Sequence, residues 1–187
     1  MGTIVAIVVV VIVVVAVVAI LMAIKRRRET KSLQERFGPE YDRTVESVGD
    51  KGDAGSILKE WVKRVENLNI VSLPYQDRDN FTAQWKEVQA EFVDDPAKSI
   101  GDADELVQAV MAKRGYPVGD FEQRTEDVSV DHPDVVENYR AAHATAERQE
   151  NGEASTEDLR QAMVHYRALF EDLLRPETAD MGAEATR

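Results

Sequence analysis

The stretch STEDLRQAMVHYRALFEDL, from Ser155 to Leu173, decides the fold class. Leu159, Ala162, Met163, Tyr166, Leu169, Phe170 and Leu173 recur at spacings of three and four, so a helix gathers them on one face. Ser155, with Asp158 three residues on, has the form of a capping box in which Asp replaces Glu or Gln. A face this apolar has to be buried against other elements, and the chain on its N-terminal side supplies helices of the same kind.

Working back from Ser155, Asn151-Gly152 stops a helix that Asp131 is expected to cap, with Pro133 in its first turn. Val135, Tyr139, Ala142 and Ala146 line its inner face. Residues Arg114 to Val130 lack a long helical period, although Asp120 could cap a short helix holding Phe121 and Val128. The next helix upstream ends near Arg114 and uses Ile100, Ala103, Val107, Val110 and Met111. Asp95 is its natural N-cap and Pro96 its first residue. From about Gln76 to Val93, Phe81, Trp85, Val88 and Phe92 repeat with helical spacing, and Asn69 to Pro74 reads as an extended link. A helix from about Asp53 to Leu68 carries Ile57, Trp61, Val65 and Leu68, preceded by a flexible connection over Gly49 to Ser56. Leu33, Phe37, Tyr41, Val45 and Val48 share a face over about Glu29 to Val48, where Gly38-Pro39 demands a break. No alternating strand pattern of useful length and no internal repeat is visible. The expectation is all-α: a soluble bundle or irregular array of five to six amphipathic helices over 32–174, then a polar tail over 175–187 expected to be disordered.

The beginning of the chain is of another kind. Thr3 to Ile24 is an unbroken run of Val and Ile with Ala, Leu and Met among them. As a helix it would measure about 33 Å at roughly 1.5 Å per residue, close to the thickness of a bilayer's hydrocarbon. Its β-branched content suggests strand in water, but a lone strand in lipid leaves its backbone groups unpaired. A buried core element would not lack polar side chains so completely. A cleaved signal peptide would have a basic start and a shorter apolar core, neither of which is present. Residues 1–24 are therefore expected to form a transmembrane anchor that holds the protein in the cell membrane as a single-pass protein. Lys25, Arg26, Arg27, Arg28 and Lys31, the basic flank of residues 25–31, all follow this run, which puts the soluble domain in the cytoplasm. The expected contact with membrane lipid is through the N-terminal helix.

Charge narrows the choice of partners. The 187 residues hold 23 basic and 35 acidic side chains. Subtracting the five basic and one acidic residue of 25–31 leaves 18 basic and 34 acidic, a formal charge of −16, since residues 1–24 hold no charge. Such a domain repels nucleic acid and could suit a basic partner, although an acidic surface more often has no specific partner. Cysteine is absent, which removes disulfides, thiolate ligands and thiol nucleophiles.

Motifs that carry chemistry are sparse. His143 and Glu147 stand four apart, but no Glu precedes any of His132, His143 or His165 by three, as a di-iron bundle needs. The His-Glu-x-x-His of zinc proteases is also missing. His143 reads as a boundary residue with a hydrogen-bonded ring. The acidic pairs Asp94-Asp95, Asp102 with Asp104, and Glu126-Asp127 fall at helix starts or on polar faces, where dipole and solvent account for them. No nucleophile elbow and no phosphate loop is present, so no catalytic residue, metal ligand or cofactor is expected. Irregular segments often carry function, and this makes Arg114, Tyr116, Arg124, Asp127 and His132 the candidate ligand-binding residues. The plainer reading is that Tyr116, Pro117 and Phe121 plug a gap between helices while Arg124 pairs with an acid.

The segment Leu33 to Tyr41 (LQERFGPEY), the phrase Gly115-Tyr116-Pro117, the run Val130-Asp131-His132-Pro133, and Tyr139-Arg140 with His143 together resemble a group of short bacterial membrane-anchored proteins. The resemblance covers most of the soluble domain. It implies a bacterial source and brings with it no activity, cofactor or site. The expected function is a non-catalytic, membrane-tethered helical module that binds a protein partner. The alternative is a small-ligand or enzymatic site built on residues 114–132.

Overall fold

The computed structural model describes residues 2–176, with side chains from Val14 onward, and among these it contains eight helices and no strand. The chain divides into two compact units, Met1–Leu58 and Lys59–Arg187. The tail expected over 175–187 lies outside the described residues from position 177 on.

In the first unit, α1 (Gly2–Phe37) runs without interruption through the basic flank, where a separate helix from Glu29 was expected. Lys, Arg, Glu and Gln are all good helix formers, and no Gly or Pro breaks the run before Gly38. Two pairs along its surface, Lys25 with Glu29 at 3.7 Å and Lys31 with Glu35 at 3.4 Å, follow the i, i+4 rule. Arg26, Arg27 and Arg28 are exposed. Among the described residues no helix is long and apolar enough to cross a membrane. The side chains of the apolar run up to residue 13 lie outside the described ones, so the span expected over Thr3–Ile24 falls in part beyond them.

Gly38, at φ 50°, makes the break before α2 (Pro39–Val48) as the sequence demands. Phe37, Tyr41, Ala54 and Leu58 are buried. Glu40 and Thr44 are buried as well, and the Thr44 hydroxyl donates to the Glu40 carbonyl at 2.7 Å. The flexible connection expected over Gly49 to Ser56 is instead largely the start of α3 (Lys51–Glu66). Asp50 explains the difference. Its carboxylate accepts from the backbone N–H of Gly52 at 2.7 Å and of Asp53 at 3.0 Å, capping a helix whose early glycines weaken but do not prevent it.

The second unit is built around α8 (Thr156–Leu173), which packs against both α5 (Pro96–Arg114) and α7 (Pro133–Glu150). α4 (Tyr75–Glu91) lies on α5, and α6 (Phe121–Asp131) lies on α7. All seven apolar positions read from Ser155–Leu173 are buried, and the capping box of Ser155 and Asp158 is formed in both directions. Asp95 and Asp120 cap α5 and α6 as expected, accepting from the N–H of Lys98 and of Gln123. Asp131 does not cap α7. It ends α6, and its carboxylate is taken by the hydroxyl of Tyr116, so His132 occupies the cap position with no side-chain bond to the helix.

Candidate functional site

Gly115 begins the irregular segment, and its backbone decides where the segment goes. It holds φ 102°, and a Cβ there would run into the carbonyl oxygen of Asn69. Only glycine allows the end of α5 to lie this close to the 69–74 link, where Val71 N–H donates to the Arg114 carbonyl at 2.8 Å.

Around this corner the structure joins three of the five candidate residues. Arg114 is buried, and one of its terminal nitrogens donates to Nε2 of His132 at 3.0 Å and to the Leu173 carbonyl at 3.1 Å. His132 Nδ1 lies 2.7 Å from the Asp172 carboxylate. A guanidinium can only donate, so Nε2 is the acceptor here and the ring proton sits on Nδ1, facing Asp172. Tyr116 donates to Asp131 at 2.8 Å and lies under the Arg114 guanidinium, 5.8 Å from ring centre to guanidinium carbon. Both His132 nitrogens are thus engaged by the protein itself. The arrangement ties the ends of α5, α6 and α8 together and leaves this imidazole no free nitrogen for proton transfer to a bound molecule.

The other two candidates belong to different networks. Arg124 donates to the Tyr139 hydroxyl at 3.0 Å and to the Gly119 carbonyl at 2.6 Å, and its guanidinium stands over Phe121. The plainer expectation paired it with an acid, but its bonds run to a phenol and a carbonyl. Burial, followed by the nearby Asp104 charge, pushes the hydroxyls of both Tyr139 and Tyr166 far above the ordinary phenol range. Asp104 Oδ1 and the Tyr166 hydroxyl are each buried without a hydrogen-bond partner, so we read the Asp104 effect on Tyr166 as charge acting through space. Gln108 holds the other Asp104 oxygen at 2.6 Å.

Asp127 is fully buried and meets Arg64 of α3, whose Nε lies 2.6 Å from one carboxylate oxygen; Arg64 also reaches Glu126 at 2.7 Å. Burial pulls the Arg64 pKa down, but the bonds to Asp127 and Glu126 outweigh it and the net shift is upward. Glu126 and Asp127, read from sequence as an acidic pair satisfied by solvent, are therefore one side of a cross-helix ion pair.

The remaining histidines have local roles. His143 stacks on Phe121 with ring centres 3.7 Å apart, while its Nδ1 is buried without a partner, so stacking rather than the expected hydrogen bond positions the ring. His165 Nδ1 meets Asn138 Oδ1 at 2.8 Å. Among the described residues no group of three His, Asp or Glu is placed to hold a metal ion.

Among the described residues, two of the open grooves lie in the second unit away from this segment. One, of about 370 Å³ between α4 and α5, has the acidic walls Glu87, Glu91, Asp102 and Glu105. Lys98 bridges Glu91 and Asp102 at 2.8 and 2.7 Å. The other, of about 390 Å³ between α4 and α8, has Trp85, Phe170 and Leu174 beneath a rim of Lys86, Arg167 and Arg175 with Glu171 among them. Reading residues singly had assigned Trp85 and Phe170 to the core, which they do join; the spacing of Thr82, Trp85, Lys86 and Gln89 along α4 was the available sign of a lined trough. Asp172 and Arg64 carried no signal in the sequence. No protein-family model, curated protein or solved structure matches the chain.

Proposed function

We propose that the chain is a non-catalytic, membrane-tethered helical module that binds a protein partner, with the acidic domain on the cytoplasmic side. The observation that carries this reading is the surface of α1. Its large apolar side chains from Val14 to Ile24 are 43 to 62 % exposed, and three exposed arginines follow at once. Water disfavours so much continuous apolar surface on a helix, whereas lipid accepts it, and basic residues flanking an apolar helix favour the cytoplasmic side.

Against an enzymatic site on 114–132 stands the use of its polar groups in internal bonds. Arg114, Tyr116 and His132 hold helix ends together, and Arg124 and Asp127 face other elements. A reporter fused to the C-terminus tests the orientation: activity in the cytoplasm is expected, and activity confined to the outside would overturn it. Affinity capture with the full chain in detergent tests the module. A reproducible stoichiometric partner is expected, and its absence across conditions would end the interaction reading.

A further inference from the structure

The groove between α4 and α8 reverses the character of the surface around it. Trp85 and Phe170 stack in its floor with ring centres 4.6 Å apart and planes 20° from parallel, and Leu174 lies beside them. Lys86, Arg167 and Arg175 stand on the rim of a domain that is otherwise strongly acidic. Arg167 and Arg175 are engaged by Glu171 at 2.6 Å and Asp172 at 2.9 Å, both close along the same helix. The Arg167–Glu171 pair is exposed on both sides and holds weakly, so Arg167 can turn to an incoming carboxylate at little cost, whereas Asp172 is largely buried and also engaged by His132, so Arg175 offers only the donors that Asp172 does not occupy. Lys86 has no ion pair among the described residues.

A second observation sits in the floor itself. Trp85 is 4 % exposed, and its indole N–H is buried without an acceptor. The indole nitrogen has almost no exposed surface, so this N–H reports on the floor without itself touching an occupant of the groove. Trp and Arg are also the residue types that concentrate binding energy at protein interfaces. On α4 the wall residues run from Thr82 to Gln89, about 10 to 12 Å at ~1.5 Å per residue, faced by the end of α8 and the residues that follow it. A trough of that length takes three or four residues of extended chain at ~3.3 Å each.

We propose that this groove binds an acidic peptide segment of a partner protein, seating one apolar side chain on the Trp85–Phe170 floor and its flanking carboxylates on Lys86, Arg167 and Arg175. The assignment rests on the protein-interaction reading above and names the surface and the chemistry of the partner. Charge selects the occupant: the groove lining holds Lys86, Arg167 and Arg175 against the single acid Glu171, a local positive excess that attracts a short acidic segment, while the acidity of the domain as a whole rejects a long nucleic-acid polyanion.

The test uses the full-length chain in detergent micelles, labelled with nitrogen-15 at tryptophan. The probe is the blocked pentapeptide Glu-Asp-Phe-Asp-Glu, with Lys-Lys-Phe-Lys-Lys, Glu-Asp-Ser-Asp-Glu and phenylacetate as comparisons. The acidic phenylalanine peptide is expected to shift the Trp85 indole N–H resonance saturably, with the serine peptide far weaker. Lys86→Glu or Arg175→Glu, both at exposed positions, should weaken it about fivefold or more. Equal binding of the lysine peptide, or indifference to both substitutions, would overturn the proposal. Phenylacetate binding as tightly as the peptide would make this a small-molecule site and overturn it too. Binding that appears only after Glu177→Lys, Asp180→Lys and Glu184→Lys would give the groove to the chain's own tail and remove the partner. A partner captured by the full chain but insensitive to Lys86→Glu would sink the groove and leave the interaction reading standing.

Discussion

Asp127 has no exposed surface, yet it carries a carboxylate, and Arg64 answers its charge at 2.6 Å. Removing the arginine strands a buried acid, which costs about 3–5 kcal/mol where both partners are fully buried. The Arg64 side chain keeps 35 % of its surface in water, so the charge is partly screened. Arg64→Ala should therefore cost about 2 kcal/mol in urea unfolding of the full chain, and replacing both partners (Arg64→Met with Asp127→Leu) clearly less than the sum of the two single changes. A loss below about 0.5 kcal/mol for Arg64→Ala would mean the pair is effectively solvated. Tyr139 and Tyr166 make a second case at this scale. Burial first, and then the Asp104 charge, raises both hydroxyls, so the folded state favours their protonated form. The stability this contributes is complete below about pH 10, where unfolded phenol ionises, and is lost as pH rises beyond it. In ultraviolet titration, Tyr139→Phe and Tyr166→Phe should leave the tyrosinate signal before unfolding unchanged. A reduced signal in either variant would show that hydroxyl ionising in the folded protein.

Helix starts can be read from sequence when the capping side chain is local, and α8 is the clearest instance. The Ser155 hydroxyl and the Asp158 carboxylate satisfy each other's backbone N–H groups. Hydrogen bonds from Ser155 hold Asp158 below the usual carboxylate range, and Arg160 followed by Gln161 pulls Glu157 down to about 2. A depressed carboxylate supports the fold above its unfolded value and loses that support as pH falls through the folded one. The first turn of α8 should therefore loosen between about pH 4.5 and 2. Carbon-13 titration of the carboxyls should place Glu157 near the lower end, and Ser155→Ala should return Asp158 toward ordinary values at a cost of about 1 kcal/mol in stability. An Asp158 midpoint unmoved by that substitution would refute the capping account. The same rule corrects the start of α3, where Asp50 outweighs the nearby glycines. It fails at Asp131, because the nearby Tyr116 hydroxyl claims the carboxylate that sequence had assigned to the cap.

For the molecule as a whole, the decisive matter is what covers the exposed apolar side chains of α1. If lipid does, a charge placed among them is expensive: an arginine near the middle of a span costs about 2.5–3.5 kcal/mol. Val14→Arg combined with Val17→Arg should move the chain from the pelleted membrane fraction to the soluble one after an alkaline wash, while Val48→Arg, outside the run, should not. Retention of the double variant in the membrane fraction would count against the tether.

Local chemistry was enough to read most of the helices of this protein. The periodic apolar positions of α5 and α8, the caps at Asp95, Asp120 and Ser155, and the break at Gly38 depend on residues a few positions apart, and short-range geometry allows few outcomes there. The fate of the candidate residues was not readable in this way. His132 meets Asp172, Arg114 meets the Leu173 carbonyl, and Asp127 meets Arg64, across 40 to 63 positions of chain. Such partners are chosen by how the helices pack, because a buried charge takes whichever counter-charge the packing brings within bonding distance. The α4–α8 groove exists for the same reason: neither helix is concave alone, and only their placement side by side leaves Trp85 and Phe170 at the bottom of a trough.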